Sequence, residues 1–332
     1  MRQSLYVLFQ LDEARRYVED GRLERLRLGL LLLDNALEIQ LNRQIKADLA
    51  YEKSKEQLRE KILEIPRDDP PTDLQSYLAW TPRTPAKKER IDRFFDEKID
   101  YLVRRTHRLD SRLAGPLKRL HKYRNEAYHG AKVRKETIRT AAILLIELNC
   151  QLLLSLPETL TSYASGDDYS WLKERFDIEP ARLLGDRVTL ARILDEIRSG
   201  ILPTDEVFVT ALTEHIDSRF EELDDALDSL VTDTSIPDRE AVLTFSQYLS
   251  ETGDRCFDPV ILRTFPAKYR LNSVDQLRKK ISQISAAQNR LDAFSKFSSI
   301  EKELEPIEAV VYSLARAVDE WIQVQIDIAR GK

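Results

Sequence analysis

Apolar residues recur every three or four positions through most of this chain, the spacing that lines one face of an α-helix. Residues 2–20 place Leu5, Leu8, Phe9, Leu11, Ala14 and Val18 on such a face, and Gly21 is suited to stop the helix. From Arg22 to about Ile65 no proline intervenes, and Leu26, Leu30, Leu33, Leu37, Leu41 and Ile45 repeat at the same interval. A single helix of roughly 60 Å follows at 1.5 Å per residue. Pro66, Pro70, Pro71, Pro82 and Pro85 then mark a connection with room for one short turn over 74–80. Thr84-Pro85 supplies an N-cap and a proline at the first helical position. It predicts a helix over 85–113 that buries Ile91, Phe94, Phe95, Ile99 and Leu102.

Gly115-Pro116 should break that helix, with a new one over 116–129 closed by Gly130 in the left-handed C′ position. A further helix over 133–156 ends before Pro157. Residues 157–186, with Pro157, Gly166, Pro180 and Gly185, read as the stretch between two domains, 1–160 and 161–332. Beyond it the pattern predicts helices over 187–199, 204–231, 238–252, 273–297 and 300–330. Nine glycines against 33% charged residues reinforce the same picture, an all-α fold with a helical bundle in each half.

Cys150, on an apolar run, and Cys256, beside Phe257, lack the spacing of a disulfide framework or of a metal site, and read as free core thiols. The N-terminus lacks the pattern of a secretory signal. The most apolar stretch, 140–156, carries Glu147, Asn149 and Gln151, which suits a buried core helix better than a membrane span. These features predict a cytoplasmic protein with no membrane partner. The charge is uneven: residues 1–160 hold 31 basic and 25 acidic residues, a net of +6, whereas 161–332 hold 21 and 32, a net of −11. The basic half invites an anionic partner. The acidic residues of 195–235 could cover it in cis.

One segment says more than helix. Lys122-Tyr123-Arg124-Asn125-Glu126-Ala127-Tyr128-His129-Gly130 contains Arg-Asn-x-x-x-His. Arg with His five residues on arises by chance in roughly one chain in three of this length, and with Asn after the Arg in about one in a hundred. Residues 101–139 around it hold 12 basic and 3 acidic residues. Such a run would hold a phosphate backbone without reading its sequence, although charge runs also form plain solvated faces. His129 alone would suit a helix C-terminus, where an imidazolium meets the dipole favourably.

The motif, the helix Leu30-Leu31-Leu32-Leu33-Asp34-Asn35-Ala36-Leu37-Glu38 and the closing apolar helix together resemble the HEPN superfamily, over about residues 1–160. The resemblance implies a metal-independent endoribonuclease that needs no cofactor and cleaves RNA by attack of the ribose 2′-hydroxyl, as prokaryotic toxins and phage-defence effectors do. It implies that Arg124 contacts the scissile phosphate, that Asn125 orients it, and that His129 transfers protons. Arg119, Lys122, Tyr128, Lys132, Arg134 and Lys135 would bind RNA. It further implies a homodimer with the two motifs facing, and a regulatory or antitoxin protein as a partner. Ala131 stands where one toxin branch has a tyrosine, so modification at that position is not expected.

The chemistry is self-consistent: RNA brings its own nucleophile, and the protein needs only a group titrating near neutrality and a cation for the phosphorane charge. Geometry adds a condition. Arg124 and His129 are about 140° apart around an ideal helix, so either the last turn unwinds or the site forms across two chains. The other reading is a non-catalytic helical module of the same shape that binds nucleic acid or a protein. No residue cluster points to a metal. His107 and His121 read as surface residues, His215 as part of an acidic helix, and the acidic run 221–228 as a solvated face.

Overall fold

The computed structural model describes residues 2–64, 72–129, 135–155, 170–179, 186–254 and 256–330, and every regular element among them is α-helix. The fold is all-α. Two compact units divide at Leu202 and Pro203, some 40 residues beyond the boundary expected near 160. The reason lies in two helices past that point, α8 (Ser170–Phe176) and α9 (Arg187–Arg198), which belong to the first unit. Trp171 of α8 meets Phe9 edge-on at 5.5 Å, Arg175 reaches buried Asp12 at 3.2 Å, and α9 packs on α7 and α1.

In the first unit α1 (Arg2–Asp20) and α2 (Leu23–Leu63) form a hairpin through Gly21, whose φ of +67° favours glycine. The two helices approach closely at Gly29, where a Cβ would lie 3.4 Å from the Ala14 carbonyl. With α7 (Lys135–Ser155) they make a three-helix core of Leu8, Leu11, Leu30, Leu33, Leu37, Leu144 and Leu145, all at most 1% exposed. Inside it Asn149 is fully buried yet satisfied: it accepts from Gln40 at 2.6 Å and donates to the Leu33 and Leu145 carbonyls. α7 contains a stretch, Thr137–Ser155, long and apolar enough to cross a membrane, and 67% of its apolar window is buried in this core.

The connection after α2 holds more helix than the prolines suggest, with α3 over Thr72–Ala79. The helix expected over 85–113 is instead two, α4 (Pro85–Arg93) and α5 (Phe95–Arg104), parted at Phe94, whose backbone is extended (φ −100°, ψ 128°). Phe94 is half-exposed rather than buried, while Ile91, Phe95, Ile99 and Leu102 do turn inward. Thr84 caps α4 as expected, accepting from the Lys87 amide.

Helix α6 (Ser111–His129) starts five residues before Pro116 and runs through Gly115-Pro116. Asp110 accepts from the Arg112 amide at 2.9 Å and so opens the helix upstream. The proline is tolerated because it sits near the first turn, where few hydrogen bonds are lost, and because Leu117, Leu120 and Tyr123 beyond it are buried.

The second unit pairs α10 (Asp205–Asp233) with the long α15 (Arg290–Ala329). They run parallel, since Arg290 bonds Asp205 at their starts and Arg219 reaches Glu301 and Glu308 further along. Between them lie α11 (Arg239–Thr252), α12 (Pro259–Thr264), α13 (Leu271–Lys279) and α14 (Ile281–Ser285). The single helix expected over 273–297 is thus two short ones, and α15 begins at Arg290 because Asn289 caps it through the Asp292 amide. The acidic run at 221–228 is only partly solvated: Asp224 pairs with Arg239 and Arg278, and Asp228 with Arg239. Cys150 is buried as expected, but Cys256 is exposed, in the connection that follows α11.

Candidate functional site

One face of α2 carries Asp34, Glu38, Gln44, Asp48 and Glu52 at spacings of four to six residues, and basic groups from later in the chain meet it in turn. Arg83 joins Glu52. Arg108 joins Asp48 at 2.9 Å and Gln44 at 2.8 Å. Further toward the start of α2, α6 lays His121 and Arg124 against Asp34 and Glu38, with Asn125 bonded to Arg124.

Asp34 is completely buried, and a carboxylate there requires partners. It has two. Arg124 Nε donates to Oδ2 at 2.6 Å, and His121 Nδ1 lies 3.0 and 3.1 Å from the two oxygens. Arg124 also donates from Nη2 to Glu38 at 2.7 Å and from Nη1 to the Asn125 side-chain oxygen at 2.9 Å. The His121 ring stacks on Phe95 of α5, with centroids 4.0 Å apart and planes 5° from parallel.

A guanidinium carries five N–H donors, and its contacts with the described residues use three. The Arg124 side chain is 27% exposed, so part of it meets solvent. The structure therefore fixes a cation at the surface end of a buried carboxylate, beside an amide and an imidazole. Asp34, Glu38 and His121 bring ligand atoms within 4.8 Å of one another, close enough for a metal ion. Arg124 takes that place: its guanidinium already bonds both carboxylates.

Sequence reasoning placed His121 on the surface, and there the structure differs. Its side chain is 18% exposed and tied to Asp34. The signal was present as i, i+3 and i+4 spacing: His121, Arg124 and Asn125 share one face of α6, and Asp34 and Glu38 share one face of α2.

Arg124 and Asn125 come together through the bond from Nη1 to the Asn125 side-chain oxygen. Helix α6 stays helical through His129, so the last turn does not unwind, and positions 124 and 129 keep their separation around the axis. The side chains of His129 and Tyr128, and the whole of Lys132 and Arg134, lie outside the described residues. Lys122 and Lys135 are exposed. Arg119 is not: it is 9% exposed, with its guanidinium 4.8 Å from the Tyr123 ring centre.

Much of the positive charge of 101–139 is also answered locally. Arg104 and Lys118 face Asp100, Arg108 faces Asp48, and Arg112 faces Asp110. The basic face is correspondingly weaker than the residue count.

In the second unit a cavity of about 590 Å³ is lined by Phe245, Leu249, Phe257, Leu314, Val318 and Trp321, among others. Asp233 is the one charged residue in its wall among the described residues. Compared with known proteins, the chain matches no family model, no curated protein and no solved structure.

Proposed function

We propose that this chain is a metal-independent endoribonuclease of the HEPN type, acting as a prokaryotic toxin or phage-defence effector. Arg124 contacts the scissile phosphate, Asn125 orients it, and His129 transfers a proton while the ribose 2′-hydroxyl attacks. RNA is the substrate, and Lys122 and Lys135 flank the site as backbone contacts. The protein works as a homodimer under the control of a regulatory or antitoxin protein, within the cytoplasm.

The observation that carries this reading is the fixed guanidinium. Arg124 is braced by Asp34, Glu38 and Asn125 yet its side chain stays 27% exposed. A preorganised cation of this kind stabilises charge that develops in a transition state without reorganising at the moment of reaction.

The test is cleavage of a single-stranded RNA in EDTA. The expected products carry a 2′,3′-cyclic phosphate and a 5′-hydroxyl, an all-deoxy strand stays intact, and His129→Ala is inactive. Arg124→Ala would also strand buried Asp34, so Arg124→Lys is the informative variant. It keeps a charge for the carboxylate, loses the planar fork, and should lower the rate by ~10²-fold or more. A 3′-hydroxyl product, or full activity in both variants, refutes the proposal.

The same contacts favour one other reading. Two carboxylates on one guanidinium make a sound brace between α2 and α6, as a non-catalytic module binding nucleic acid or protein would need. RNA binding without cleavage, unchanged in His129→Ala, would decide for it.

A further inference from the structure

Of the imidazoles described in the first unit, His121 is the one placed to act with Arg124. The two residues are three apart on α6, about 60° around the axis, whereas His129 is about 140° from Arg124. They also share a single carboxylate. Asp34 accepts from Arg124 Nε through Oδ2 and lies 3.0 Å from His121 Nδ1 through Oδ1.

The Asp34 carboxylate accepts from Arg124 and from His121 alike, so Nδ1 is the nitrogen that carries hydrogen. That leaves the lone pair on Nε2. No described residue hydrogen-bonds Nε2. Phe95 on one face of the ring and Asp34 at one edge fix its plane, and the side chain is 18% exposed. A buried carboxylate that holds an imidazole by Nδ1–H and leaves Nε2 to take a proton is the arrangement of a general base and its orienting acid.

We propose that His121 is the general base of the nuclease site, an inference that rests on the function proposed above. Its Nε2 takes the proton of the 2′-hydroxyl as the O2′–P bond forms. The P–O5′ bond breaks, and the leaving 5′ oxygen takes a proton from His129. Arg124 faces the charge on the phosphorane, and the new imidazolium faces Asp34 and Glu38. Water returns both imidazoles to their starting states, so the step consumes no proton and needs no co-reactant.

The experiment uses the full chain, a short RNA oligonucleotide and EDTA, with pH profiles of kcat/KM for the wild type, Arg124→Lys and His121→Asn. Asn retains an N–H for Asp34 but has nothing in the place of Nε2. If His121 is the base, His121→Asn lowers kcat by ~10²–10⁴-fold, leaves KM within a few-fold, and abolishes the acidic limb of the profile. If His121 only positions Asp34 and Arg124, His121→Asn keeps both the rate and the limb, and the proposal fails while the nuclease reading stands.

A wild type that cleaves no RNA removes both. Should His121→Asn melt early, the wild type still decides. The charged groups facing the ring are Asp34 and Glu38 from α2 and Arg124 from α6, with Phe95 from α5 on its face, so its titration can be followed as one resonance. The His121 Cε1–H signal must titrate together with the acidic limb, and a midpoint clearly apart from it overturns the assignment.

Discussion

Replacing Asp34 with Asn and Arg124 with Gln, singly and together, measures the contact on which the site is built. The pair is 2.6 Å apart, Asp34 is fully buried, and the Arg124 side chain is 27% exposed. Breaking a fully buried pair costs about 3–5 kcal/mol, and an exposed one is worth under about 1 kcal/mol. Here the cation is partly solvated, Glu38 remains for Arg124, and His121 remains for Asp34, so the coupling should fall between, at about 2 kcal/mol. For a unit of this size each kcal/mol moves the melting temperature by about 2–4 °C, so either single variant should melt roughly 4–8 °C lower. The double variant should lose clearly less than the sum of the two. Calorimetry of the full chain supplies the four values. The pair Lys173 and Asp177, at 2.7 Å but largely exposed, serves as the control and should show no coupling beyond error. A coupling below about 0.5 kcal/mol for Asp34 and Arg124 would mean that the guanidinium is not braced by α2, and the preorganisation argument would fall with it.

Asp48 provides a test with pH. Burial raises its carboxyl above the usual range even though Arg108 and Arg83 oppose the shift, and its Oδ2 has no hydrogen-bond partner. A carboxyl whose folded-state value is raised binds protons more tightly when folded, so its charge costs stability as pH rises through the folded value. Asp48→Asn should therefore gain on the wild type in urea midpoint from pH 4 to pH 7, and an advantage that shrinks with pH contradicts this. The thiols should separate as well: burial pushes Cys150 up to about 12, while Cys256 is exposed. At pH 8 a disulfide reagent should modify one thiol per folded chain and both in denaturant, and two fast thiols in the native state would show that the α7 core opens.

Apolar spacing was enough to locate α1, α2, α7, α9, α10 and α11 within a few residues, because in each the periodic face is also the buried face. It failed where a cap decided the boundary. Asp110 starts α6 ahead of a proline that appears to forbid it, and Asn289 starts α15 within a run that reads as one earlier helix. The break at Phe94 left no trace in the pattern, since Ile91, Phe95, Ile99 and Leu102 would line up on an unbroken helix too. Within the site, Arg124 and Asn125 were legible as a motif. Asp34 and Glu38 were legible only as part of an apolar helix. His121 was legible only as a member of the same α6 face as Arg124 and Asn125, since its partner depends on which part of α2 that face meets, and no local spacing records a contact between residues 87 positions apart.

That separation also bears on how the molecule is made. Asp34 and Arg124 lie 90 positions apart, with α3, α4 and α5 between them, so no stretch of chain shorter than this can assemble the cluster. During synthesis the α2 carboxylates emerge first and stay solvated while the ribosome adds the intervening helices, and closing so long a loop is the slow kind of contact. Until residue 124 has left the exit tunnel and folded back, the α2 carboxylates have no guanidinium to hold, and the cluster does not exist on a partly made chain.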